Sequence, residues 1–82
     1  MISPAEAAKK VLDHTKYEEV ICVKDYDLTH YVVEAIPVKG KLPKCAQTTF
    51  GVHKITGEVT AFHARPFGTL EKYQNAKRLN FE

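Results

Sequence analysis

The stretch Val20-Ile21-Cys22-Val23-Lys24-Asp25-Tyr26-Asp27-Leu28-Thr29-His30-Tyr31-Val32-Val33-Glu34-Ala35-Ile36 decides the fold. Two runs rich in β-branched and aromatic residues, Val20 to Val23 and Tyr31 to Ile36, flank the polar Lys24-Asp25-Tyr26-Asp27, which is the pattern of an antiparallel hairpin. A second hairpin follows, with Thr48 to His53 and Val59 to His63 flanking Lys54-Ile55-Thr56-Gly57-Glu58. Gly57 supplies the positive φ that such a turn needs. Pairing around this turn places Phe50 and Val52 on the core face with Thr60 and Phe62, and turns His53, Ala61 and His63 outward.

Helices flank these strands. Ser3, Pro4 and Glu6 form a helix start with a capping residue, a first-turn proline and a Ser-x-x-Glu box. Ala7, Ala8, Val11 and Leu12 recur at helical spacing up to about His14, with Glu6, Lys9, Lys10 and Asp13 opposite. After Arg65-Pro66-Phe67-Gly68, Thr69 is placed to cap a short last helix in which Leu70, Tyr73 and either Ala76 or Lys77 share a face. The order predicts an α+β domain of cystatin-like type, with the N-terminal helix packed on a four-stranded antiparallel sheet and a short C-terminal helix. The sheet's far face is left exposed or free for binding. Between the hairpins, Lys39-Gly40-Lys41-Leu42-Pro43-Lys44 reads as a mobile loop.

A chain of 82 residues has room for one domain and one modest core. Its longest apolar runs fall well short of the ~20 residues that span a bilayer, and Met1 to Glu6 lack a secretory pattern. A cytoplasmic protein without a membrane partner is the expectation. Cys22 and Cys45 are too few for a disulfide framework and read as free thiols.

A net charge of +2 does not drive nucleic-acid binding by bulk electrostatics. Lys39, Lys41 and Lys44, with Lys72, Lys77 and Arg78 near Tyr73, offer the only positive clusters, and they read first as solvated surface. The four histidines His14, His30, His53 and His63 lack the His-x-His or His-x-x-x-His spacing of a metal site. Asp25 and Asp27 are explained by their turn. Cys22 sits in a core strand, and Cys45 follows Lys44 at the loop edge. Glu34, a lone charge in the strongest strand, either faces solvent or marks a polar pocket. The sequence therefore implies no catalytic residue, cofactor or metal.

Phe50-Gly51-Val52-His53-Lys54-Ile55-Thr56-Gly57-Glu58-Val59, followed by Leu70-Glu71-Lys72-Tyr73, resembles the YrhB-like family of small bacterial proteins, which includes predicted immunity proteins of toxin systems. The resemblance implies a non-enzymatic protein that binds or neutralises a protein partner such as a toxin. It carries over no catalytic residue. A Lys-x-Thr-Gly-Glu-Val turn also occurs in other sheet proteins, such as PepSY-like domains, and His53 stands where the YrhB-like pattern has an acidic residue.

Three expectations about function follow. The first is a protein-interaction surface formed by the outer sheet face or the loop, with Lys39, Lys41, Lys44, His53 and His63. The second is a small-ligand pocket between helix and sheet, with polar groups from His30, Tyr31 and Glu34. The third is a weak nucleic-acid binder. Exposed strand edges leave homodimerisation through sheet pairing open, and nothing in the sequence specifies it.

Overall fold

The computed structural model describes residues 1–41, 46–63 and 68–81. Leu42 to Lys44 of the loop expected between the hairpins, Cys45, and Arg65 to Phe67 lie outside the described residues.

Helix α1 (Pro4–Thr15) starts where its capping chemistry demands. Ser3 Oγ accepts the Glu6 N–H at 3.2 Å, and Pro4 takes the first turn. It ends at Lys16, which adopts the left-handed conformation (φ 62°) and returns its N–H to the Leu12 carbonyl. Ala7, Ala8 and Val11 are the buried face, and two alanines allow close approach to the sheet.

Among the described residues five strands form one antiparallel sheet: β1 (Glu19–Asp25), β2 (His30–Ile36), β3 (Thr49–His53), β4 (Val59–Ala61) and β5 (Lys77–Leu79), in the spatial order β4-β3-β2-β1-β5. The α+β class and the presence of two hairpins are as the sequence implies, although Lys24 and Asp25, read from sequence as turn residues, extend β1. The fifth strand is the difference. After β4 the chain passes through α2 (Thr69–Asn75) and pairs β5 with the opposite edge, Val23 against Leu79 and Asp25 against Lys77. Thr69 is the first helical residue rather than the cap. Gly68 takes that position without a side-chain hydrogen bond.

The core lies between α1 and one sheet face, where Val11, Val23, Val33 and Val52 are fully buried beside Tyr31, Ala35 and Phe50. Each such valine contributes about 1.5–3 kcal/mol relative to exposure. A bulge between Val20 and Cys22 shifts the β1 register by one residue. As a result Val20 and Val23 both pack toward α1, while Cys22 turns to the other face. Tyr31 is sealed into this core, its hydroxyl donating to the Ile2 carbonyl at 2.8 Å.

The second hairpin departs from expectation in a way that matters. His53 and Glu58 close the turn (His53 N–H to Glu58 O, 3.0 Å; Gly57 N–H to His53 O, 2.8 Å), so four residues rather than five form the loop. The pairs are therefore Phe50 with Ala61, Gly51 with Thr60 and Val52 with Val59. A one-residue change of register moves every side chain to the opposite face. Thr60 and Phe62 consequently lie on the outer face, and it is Val59 that joins the core.

Gly57 carries the turn at φ 75°, with the Lys10 side chain lying over it. The lysine stem is free to move aside, so the backbone angle dominates the cost of any side chain there. Gly57→Ala is expected to lower stability by about 1 kcal/mol in denaturant titration, with an unchanged m-value.

Candidate functional site

Two regions of the surface bring chemistry together: the outer face of the sheet, and the end of the sheet where the β1–β2 and β3–β4 turns meet.

On the outer face, cross-strand pairing sets side chains in rows. Cys22, Glu34 and Thr49 form one, and Lys24, Val32, Gly51 and Thr60 form the next, followed by His30 opposite His53. The α2 helix lies over part of this face, with Leu70, Tyr73 and Ala76 as its less exposed side. Tyr73 is the anchor. Its hydroxyl donates to Glu34 Oε2 at 3.3 Å, its carbonyl accepts from Lys24 Nζ at 3.2 Å, and the same ammonium stands 3.9 Å from its ring centroid. Phe62 packs against its ring at 5.8 Å.

Glu34 is thus half-buried beneath α2 and bonded to Tyr73, where the sequence allowed a solvent-facing charge. The Cys22 thiol, 5% exposed, lies 3.8 Å from the same carboxylate oxygen. The sealed thiol, donating to a carboxylate, has the geometry of a packed structural group. Burial, then the charge of Glu34 and the nearby Cys22, pushes the Tyr73 phenol well above its ordinary value, so it stays a donor to high pH.

At the turn end, Asp27 organises the β1–β2 tip. Its Oδ1 accepts from the Thr29 N–H (2.8 Å), the Thr29 hydroxyl (2.9 Å) and the His30 N–H (2.7 Å). Desolvation works against its charge, but these bonds and Lys72 together hold it below the usual carboxylate range. Its stabilising contribution is therefore present above the ordinary carboxylate value and is lost as pH falls through the lower folded one.

The β3–β4 turn packs alongside, the Lys54 N–H donating to the Thr29 carbonyl at 2.8 Å. Lys54 is itself buried, its ammonium bonded to Asp25 at 2.5 Å. Lys72 lies 3.8 Å from Asp27 and 4.6 Å above the Tyr26 ring. Between these groups is an open cleft of about 610 Å³. Leu28 (96% exposed) and Ile55 (69%) project from the two tips.

The structure separates the residues that the sequence grouped. Lys39 and Lys41 are exposed on the β2–β3 connection, at the other end of the sheet from His53. His63 is exposed just past β4. His53 acts within the fold: its Nδ1 accepts the Ile55 and Thr56 N–H groups at 3.1 and 3.3 Å, and its ring meets His30 edge-on at 5.0 Å. His30 and Glu34 face outward while Tyr31 faces α1, so the three share no pocket between helix and sheet.

Sequence reasoning set Phe62 on the core face, took Tyr73 only as a helix-face residue near a basic cluster, and gave no role of their own to Leu28, Lys54 and Gly51. The last carried a readable signal, since a glycine inside a strand weakens it by about 0.5–1 kcal/mol and marks a bulge or a close approach. Among the described residues no group of three or more His, Cys, Asp or Glu side chains is arranged to hold a metal ion, and no helix is long and apolar enough to cross a membrane. No protein-family model matches the chain, and neither a curated protein nor a solved structure shows significant similarity to it.

Tyr73→Phe should cost about 1 kcal/mol by removing a donor to Glu34. In an ultraviolet absorbance titration of the folded protein, the last tyrosine to ionise should disappear in this variant. Because the unfolded phenol loses its proton near 10.0 and the folded one later, this contribution is present below that pH and declines above it.

Proposed function

We propose that the protein is a non-enzymatic interaction module that binds a protein partner through the paired turn tips. The observation that carries this reading is that Leu28, almost wholly exposed, and the exposed Ile55 stand on two turns joined by the Lys54 N–H to Thr29 carbonyl bond. A leucine at a mobile tip would need no explanation, since scattered apolar side chains are normal on surfaces. This one is different in setting. The Asp27 hydrogen bonds fix the backbone on either side of it, and the Thr29–Lys54 bond ties its turn to that of Ile55.

Two aliphatic groups held in place, with the ion pairs Asp25–Lys54 and Asp27–Lys72 around them, match the apolar centre and polar rim of a protein interface. The hydrogen-bonded backbone of the turns leaves less loop entropy to be lost on binding. The resemblance to YrhB-like proteins supports the same class of partner, a toxin-like protein that the module neutralises by occupying it. Lys39 and Lys41, at the other end of the sheet, are not required for this contact.

The test is capture of partners from the native host's lysate, at physiological salt, by the wild type and by variants with equal melting temperatures. Leu28→Glu and Ile55→Glu should each weaken a stoichiometric protein partner by about 2 kcal/mol, roughly thirtyfold, while Lys39→Ala/Lys41→Ala retains it. Loss of the partner only in the lysine variant would move the interface to the β2–β3 connection. No retained partner at all would refute the reading.

A further inference from the structure

Gly51 sits in the interior of β3, yet nothing within the fold requires glycine there. The glycines with positive φ are Gly40, Gly57 and Gly68, so its backbone is open to any residue. A Cβ at this position would lie 3.4 Å from Thr60 Oγ1 and 3.8 Å from His30 Cδ2, which are ordinary contact distances. What the missing side chain leaves is space: a notch of about 220 Å³ on the outer face, walled by Tyr26, His30 and Phe62. Its floor is the single cross-strand row Val32, Gly51 and Thr60, with the glycine in the middle.

We propose that this notch is a binding site for a small, neutral aromatic molecule of one or two fused rings, with a polar substituent directed at the Thr60 hydroxyl. The notch is open to solvent on one side, and its volume is larger than the ~150 Å³ enclosed apolar cavity that takes up benzene, so one or two rings fit within it. The shape fits as well. A ring laid on the Val32–Gly51 floor meets the Tyr26–Phe62 pair, whose centroids are 5.0 Å apart in an edge-to-face arrangement, and aromatic ligands favour offset or edge contacts with such walls.

Charge selects against ionic ligands. The lining contains no Asp, Glu, Lys or Arg side chain, so an ion entering it would shed water without gaining a counter-charge. The walls are held in place by the protein itself: His30 Nδ1 is engaged with Thr29 Oγ1 at 2.7 Å, and Phe62 is backed by Tyr73. The site is thereby largely pre-formed, as small-molecule sites usually are. It adjoins the turn-tip cleft, with which it shares Tyr26, but it is argued from the Gly51 row alone and does not depend on the partner reading.

The experiment titrates the full chain with phenol, indole, benzene and benzoate, following backbone amide shifts by NMR. Phenol and indole should give saturable shifts concentrated at residues 30–32, 51 and 60–62. Gly51→Val should weaken both at least tenfold while keeping or raising the melting temperature, since a β-branched residue suits the strand. Gly51→Ala serves the same purpose if the valine variant does not fold. Thr60→Val should weaken phenol severalfold and leave benzene unchanged. Absence of saturable shifts in the wild type, equal affinity in the filled variants, or tighter binding of benzoate than of phenol would each overturn the proposal.

Discussion

The register between β3 and β4 governs the rest of the molecule. A four-residue turn closed by His53 and Glu58, with Gly57 in the left-handed region, pairs Gly51 with Thr60. Because side chains alternate with a period of two, that one choice sends Val59 into the α1 core and both Thr60 and Phe62 to the opposite face. Phe62 then becomes the hub on which Tyr26 and Tyr73 pack. Without it, α2 would cross the sheet over a flat row of small and polar groups, with little apolar surface to hold it.

The outer face is consequently a second, smaller packed layer rather than the open surface that the helix-and-sheet pattern suggests. Cys22, Val32 and Ile36 are almost as buried as the α1 core. The polar groups among them are mutually satisfied, with Glu34 taking the Tyr73 hydroxyl and Lys24 reaching both the ring and the carbonyl of the same residue. Such a network discriminates between positions of α2 in a way that an aliphatic contact would not, because a displaced helix would leave a carboxylate and an ammonium half-covered and unpaired.

Local chemistry made much of this readable. The Ser3–Pro4–Glu6 start of α1, its Ala-Ala-x-x-Val face, and both hairpins are written in short-range patterns, and the structure follows them. The parts that were not readable are long-range. Five turn residues and four are equally compatible with Lys54 to Glu58, and only the completed hydrogen bonds distinguish them. The strand Lys77-Arg78-Leu79 has two long cationic residues and no alternation to declare it, so its pairing with β1 comes from tertiary contact. The sequence left Glu34 open between solvent and a polar setting and assigned Lys54 no role beyond its turn, because their partners, Tyr73 and Asp25, are distant in sequence. Lys39, Lys41 and His53 were grouped by composition, and the direction of β2 sets them at opposite ends.

The placement of β5 sets which edge the sheet offers to another chain. Until Lys77–Leu79 dock, the edge of β1 offers the unpaired N–H and C=O groups of Val23 to Asp25 to any extended neighbour. That is the template on which misassembly begins. Once docked, β5 replaces this edge with one bearing exposed Lys77 and Arg78, whose like charges discourage a second copy from adding a strand. The opposite edge is protected differently: β4 is only three residues long and offers little to pair with.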